Sequence, residues 1–233
     1  MSFSISRLND IRIAIMRCMQ IIRQVPFEAV IQAWLKAEWY GDLFNPIRNY
    51  IPQALIDDED FNNQQNNDLR YWPLRALRFN MLETLPPGIR WYSTTYDSAD
   101  IRRTFIVPSN DWGPISRNSY QPYAIMQNLA QNPNSTDAHA VKIRDIMASL
   151  PTIDRRLILV TSDINSLLTL IEGNHRAIAI FADALDRGAP DPIVTEVFVG
   201  VSPDVRQYIF SIERYIAPAG CRGQDPSQIS YRL

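Results

Sequence analysis

The chain has 233 residues, 46% hydrophobic and 21% charged, with a formal charge of -2; this fits a globular protein with a real core and argues against the broad basic face that duplex nucleic acid demands. Lys36 and Lys142 are the only lysines, so 21 of the 23 basic residues are arginines, whose planar forked donors suit carboxylate and phosphate. Cys18 and Cys221 stand far apart without metal or disulfide spacing, and no stretch approaches the roughly 18 uncharged residues of a membrane span, so a reducing cytoplasm and no membrane contact are expected.

At the N-terminus, Arg7, Arg12, Arg17 and Arg23 interrupt the apolar residues, which speaks against a signal peptide. Ile11, Ile15, Cys18, Met19 and Ile22 recur at helical spacing, and after Pro26 so do Phe27, Val30, Ile31, Trp34 and Leu35. Two helices are predicted. The stretch DDEDFNNQQNN, from Asp57 to Asn67, reads as an exposed, solvated linker; its carboxylates lack the glycine and spaced oxygens of a calcium loop. A boundary is therefore expected here, with residues 1–68 a helical appendage and linker and residues 69–233 the core.

In the core, WPLRALRFNML reads as a helix, and IRWYSTTYD and IRRTFIVP as two strands of a hairpin turned by DSAD at 97–100. SNDWGPISRNSYQPYAIM, with Gly113, Pro114 and Pro122, reads as a loop of the kind that borders a site. Ser135, Thr136 and Asp137 offer N-caps to a helix whose apolar face is Val141, Ile143, Ile146, Met147 and Leu150; His139, in its first turn, is expected to be exposed or capping. Beyond Pro151, RRLILVT and LLTLIE read as strands, Ala177, Ile178, Phe181, Ala184 and Leu185 as one face of a helix ended by Gly188, and TEVFVGV as a further strand. Pro203 is expected to open a last helix with Val205, Tyr208, Ile209 and Ile212 facing inward, ahead of a polar tail.

The chemistry concentrates in GNHR, between the strand ending at Glu172 and the helix that follows. The first N–H groups of a helix lack internal partners and carry the positive end of its dipole, so they face an anion above such a turn. Gly173 lets the backbone approach closely, Arg176 can grip phosphate with parallel bonds, His175 adds a donor able to titrate near neutrality, and Asn174 offers a neutral donor and acceptor. Glu172 is expected beside the phosphates, orienting Arg176, holding magnesium or acting as general base; with His175 it forms the candidate catalytic pair. The same letters also suit a plain helix start, with Asn174 and Glu172 as caps.

The run LILVTSDINSLLTLIEGNHRAIAIFADAL resembles the ParB/sulfiredoxin superfamily, in which a strand delivers a G-x-[HR]-R signature to a helix of small apolar residues and a further strand follows. The resemblance covers roughly residues 100 to 202 and implies an α/β (α+β) mixed-sheet core that binds nucleotide phosphates at Gly173, His175 and Arg176, with Glu172 where an acidic residue often precedes the glycine. Sulfiredoxins carry cysteine where this chain has Asn174, and only about thirty residues follow TEVFVGV, so neither sulfiredoxin chemistry nor a partitioning-type helix-turn-helix is expected. The implied activity is a nucleotide-dependent phosphotransferase or nucleotide hydrolase using ATP, ADP or CTP with magnesium, acting on a small-molecule or protein acceptor. The alternatives are a nucleotide-sensing, DNA-associated module, in which a homodimer would concentrate arginines such as Arg102, Arg103, Arg155 and Arg156, and an inactive interaction scaffold.

Overall fold

The computed structural model describes residues 19–39, 41–109, 111–150, 155–188 and 194–215. Six strands form one sheet: β1 (Ile21–Val25), β2 (Arg90–Tyr96), β3 (Thr104–Ile106), β4 (Ile158–Thr161), β5 (Leu168–Glu172) and β6 (Val194–Val201), in the order β1-β2-β6-β4-β5-β3. β1, β2 and β6 are joined antiparallel, β6 and β4 parallel, β4 and β5 antiparallel, and β5 and β3 parallel, so the α/β fold has a mixed sheet.

Both faces of this sheet are covered, and the alternation of side chains shows by what. Leu157, Leu159, Leu168, Leu170, Val197 and Val199 join one core with residues of α6 (Pro122–Gln131), α7 (Ala138–Ser149) and α8 (Asn174–Asp186). Ile158, Val160, Ile171 and Phe198, one position along, join a second core with α1 (Phe27–Glu38) and α3 (Gln64–Glu83). Two-sided burial is why these strands read as unbroken apolar runs rather than alternating ones. At about 1.5–3 kcal/mol for each fully buried Leu, Ile or Val, this double core dominates the stability.

The packing departs from the expected organisation in several places. Residues 21–25, the end of the first expected helix, form β1, because pairing with β2 outweighs a short helical periodicity; residues 1–18 lie outside the described part. No break in packing falls at residue 68. α1 covers the second face of the sheet, and α2 (Gln53–Asp57) contributes Ile56 to the same core, so the described part of residues 1–68 is a layer of the core rather than an appendage. The acidic stretch is not a free linker either: the fully buried Arg70 donates to the carbonyls of Leu55, Asp58 and Asp60 and pairs with the Asp58 carboxylate at 3.1 Å.

The expected hairpin does not form. Asp97 and Asp100 make a reciprocal capping box that starts α4 (Ser98–Arg102), and the chain crosses to place β3 at the far edge, beside β5. The long loop contains a short turn of helix, α5 (Gly113–Ser116), and then α6, with Pro122 in its first turn. After β6 there is no continuous helix but two 3-10 turns, Pro203–Gln207 and Ile212–Arg214, each capped by a serine, Ser202 and Ser211. Val205, Tyr208 and Ile212 are buried as expected, while Ile209 is exposed. No helix among the described residues is long and apolar enough to cross a membrane.

Candidate functional site

β5 ends at Glu172 and α8 begins at Asn174, so a single residue, Gly173, turns the chain between them. Its φ of 94° lies in the left-handed region, where a side chain is strained, and a Cβ there would stand 2.6 Å from Leu157 Cδ2. The first bond of α8 runs from Ala177 N–H to Gly173 C=O at 2.8 Å, and no side chain caps this end of the helix. The plain capping arrangement is therefore not the one adopted: Asn174 occupies the first helical position, and its buried Oδ1 has no hydrogen-bond partner. Asn174, His175 and Arg176 line a cavity of about 430 Å³ at the C-terminal end of β5, where open α/β sheets characteristically bind ligands.

Arg176 lies over the turn. Its Nη2 donates to Glu172 Oε1 at 2.9 Å and sits 3.2 Å from where a Cβ on Gly173 would be. Glu172 in turn lies beside a residue from the opposite layer: Glu38, the last residue of α1, whose charge acts on it. Glu38 Oε1 accepts from Arg78 of α3, at 2.8 Å from Nε and 2.6 Å from Nη2. Arg78 is also where α3 departs from helical geometry (φ -127°, ψ 26°). Two glutamates and two arginines thus interlock at one end of the cavity. Burial and the Glu38 charge push the Glu172 carboxyl up to about 7, against the pull of Arg176 and Arg78.

The other end is aromatic. His175 Nε2 and His139 Nδ1 share a hydrogen bond of 2.9 Å, the Trp112 ring stacks on His139 with centroids 4.0 Å apart, and it leans on His175 at 4.7 Å. Asp111 faces the outer nitrogen of His139 at 3.7 Å, and Lys142 completes this wall. His139 is therefore neither simply exposed nor a cap: it buttresses the other histidine of the chain. Burial, then the nearby charge of Lys142, push His175 down to about 3, so the imidazole expected to titrate near neutrality is held neutral instead.

No family model, no curated protein and no solved structure matches the chain. The site is read from its own chemistry. All five residues singled out in the sequence, Glu172 to Arg176, border one cavity, and the loop expected beside a site supplies Asp111 and Trp112. Glu38 and Arg78 had no sequence signal, since nothing in their neighbourhoods marks them as more than surface charges of helices. The two histidines did carry one: they are the only pair in the chain, and each stands in the first turn of its helix. Of the arginines that a nucleic-acid surface would need, Arg103 is committed internally, to Asp100 at 2.8 Å and to the carbonyls of Ile164 and Ser166.

The two displaced titrations give opposite slopes of stability with pH. Glu172 binds its proton more tightly folded than unfolded, so its contribution is complete below the ordinary 4.5 and is lost as pH rises through about 7. His175 binds its proton less tightly folded, so its contribution is complete above the ordinary 6.5 and is lost as pH falls toward 3. Each slope approaches about 1.4 kcal/mol per pH unit within its window. Denaturant unfolding across pH 3 to 8 is expected to lose the acid-side decline in His175→Asn and the neutral-side decline in Glu172→Gln. A variant whose profile matches the wild type would show that its residue does not generate the slope.

Proposed function

We propose that this protein binds a nucleoside di- or triphosphate, such as ATP, ADP or CTP, and catalyses phosphoryl transfer or hydrolysis, with the phosphates at the turn of Gly173, Asn174, His175 and Arg176. The observation that carries the reading is the uncapped start of α8 opening into the cavity beneath the Arg176 guanidinium. Unpartnered amides and a forked cation converge where an anion fits. The resemblance of LIEGNHRAIAIF to the ParB/sulfiredoxin superfamily supports it, as does the succession of strand, turn, helix and following strand in this part of the chain.

Glu172 serves this chemistry as a general base. A carboxyl group that titrates near 7 is matched to taking a proton from an acceptor hydroxyl, or from water, at neutral pH. His175, held neutral, supplies a hydrogen bond rather than a charge. Glu172 fits poorly as the ligand of a resident magnesium ion, since its Oε1 is taken by Arg176 and Arg78 stands beside its partner Glu38. Among the described residues no three or more His, Cys, Asp or Glu side chains cluster so as to hold a metal. Magnesium enters this reading as the counter-ion that a nucleotide brings on its own phosphates.

A thermal-shift panel of ATP, ADP, CTP and GTP, with and without magnesium, tests the reading. At a concentration of 100 times Kd, the bound nucleotide is expected to stabilise the fold by about 2.7 kcal/mol. Glu172→Gln should retain the shift and lose turnover. The absence of a shift with all four nucleotides, confirmed by calorimetry, would remove the proposal.

A further inference from the structure

The phosphate turn accounts for the Glu172–Arg176 pair, but not for the second ion pair, Glu38–Arg78, that meets it in the same cavity. A structural ion pair has no need to be buried in a ligand-sized cavity, and two pairs set carboxyl to carboxyl are an unfavourable way to build one, because like charges oppose each other. Side-chain exposure is 13% for Glu38 and 34% for Arg78, and 18% for Glu172 and 13% for Arg176. All four groups line the same cavity as the turn. They come from three elements: α1, α3 and the β5–α8 corner.

We propose that the site has a second half, contributed by α1 and α3: Glu38 and Glu172 act as internal stand-ins for phosphate oxygens, holding Arg78 and Arg176 until the terminal phosphate of a nucleotide takes over both guanidinium groups. This inference rests on the nucleotide reading and extends it to the class of ligand. A terminal phosphate presents several charged oxygens that can receive two guanidinium groups at once, so a di- or triphosphate is favoured over a singly charged carboxylate.

The exchange has a consequence in protons. Before binding, each carboxylate faces an arginine. Afterwards Glu38 and Glu172 remain side by side with their counter-charges drawn to the ligand; the pair takes up one proton from solvent and keeps one carboxylate ionised, so that a base remains for the transfer step. The other charged or titratable groups on the cavity are Asp111, His139, His175 and Lys142. The step forms and breaks no covalent bond. Hydrogen bonds exchange, and a single proton is taken up.

Calorimetry of the full chain with inorganic tripolyphosphate, the phosphate chain shared by ATP and CTP, tests this at pH 8 in two buffers of different ionisation enthalpy. The wild type is expected to show heats that differ between buffers by the uptake of up to one proton per site. Glu38→Gln is expected to bind about tenfold tighter, since Arg78 no longer has to leave a carboxylate, and to take up no proton. Arg78→Ala is expected to bind about tenfold more weakly, which a merely structural arginine would not do once the variant is shown to be folded. Buffer-independent heats together with an unchanged affinity in Glu38→Gln would overturn the exchange and leave the phosphate turn standing. Failure of the wild type to bind tripolyphosphate or any nucleotide would instead overturn the nucleotide reading beneath it.

Discussion

Arg176→Ala is expected to weaken nucleotide binding by about 100-fold or more while the protein remains folded. Two charge-assisted hydrogen bonds to phosphate are each worth about 1.5–3 kcal/mol, and a factor of ten in affinity corresponds to about 1.4 kcal/mol. The separation of binding from folding follows from Glu172. Removing one member of a buried ion pair is ordinarily severe, because it strands the other charge. Here the stranded group already titrates near 7 and lies against Glu38, so it answers the loss of Arg176 by holding a proton at neutral pH. The guanidinium lies over Gly173 and lines the cavity, so its removal enlarges that opening. Calorimetry with the nucleotide that gives the largest thermal shift measures the effect, and near-ultraviolet circular dichroism confirms the fold. An affinity within threefold of the wild type would move the phosphate site away from this turn.

How far the sequence revealed this arrangement depended on whether the signal was local. The turn was legible because one glycine, one strand and one helix determine it: LLTLIE is buried on both sides, Gly173 adopts the positive φ that the change of direction demands, and Ala177, Ile178 and Phe181 form the buried face of α8. α1 and α7 were legible as helices for the same reason, as their apolar residues fall at helical spacing within one element, although Val141 of α7 and Leu185 of α8, expected on the inward faces, are exposed. Strand pairing is not local. Nothing in IRWYSTTYD and IRRTFIVP records that β2 joins β6 while β3 joins β5, and the capping box that parts them uses the same Asp97 and Asp100 that suit a tight turn. The second half of the site was hidden for a related reason. Glu38 and Arg78 sit in helices whose apolar faces announce packing, and only the folding of α1 and α3 across the sheet brings their charged ends to Glu172. The displacement of His175 was equally invisible, since it arises from burial beneath Trp112 and His139, both distant in sequence.

The strictest demand on the architecture falls on Gly173, and Gly173→Ala is expected to destabilise the protein by about 2–5 kcal/mol while disabling the site. The left-handed conformation costs a non-glycine residue about 1–2 kcal/mol, and forcing a methyl group into a packed core adds about 1–3 kcal/mol. The methyl would meet Leu157 Cδ2 at 2.6 Å, closer than real contacts allow, the Arg176 guanidinium at 3.2 Å and the Arg156 carbonyl oxygen at 3.5 Å. Leu157 is fully buried in the core beneath α6, α7 and α8, so it has little room to yield. The remaining relief is for the corner to open, which lifts the first turn of α8 and carries Arg176 away from Glu172. Stability and binding are thus coupled at this position, whereas they separate at Arg176. Chemical denaturation reads the first effect and nucleotide calorimetry the second. A Gly173→Ala protein as stable as the wild type would mean that the backbone here does not require the left-handed turn, and the convergence of amides and guanidinium on one anion would lose its structural basis.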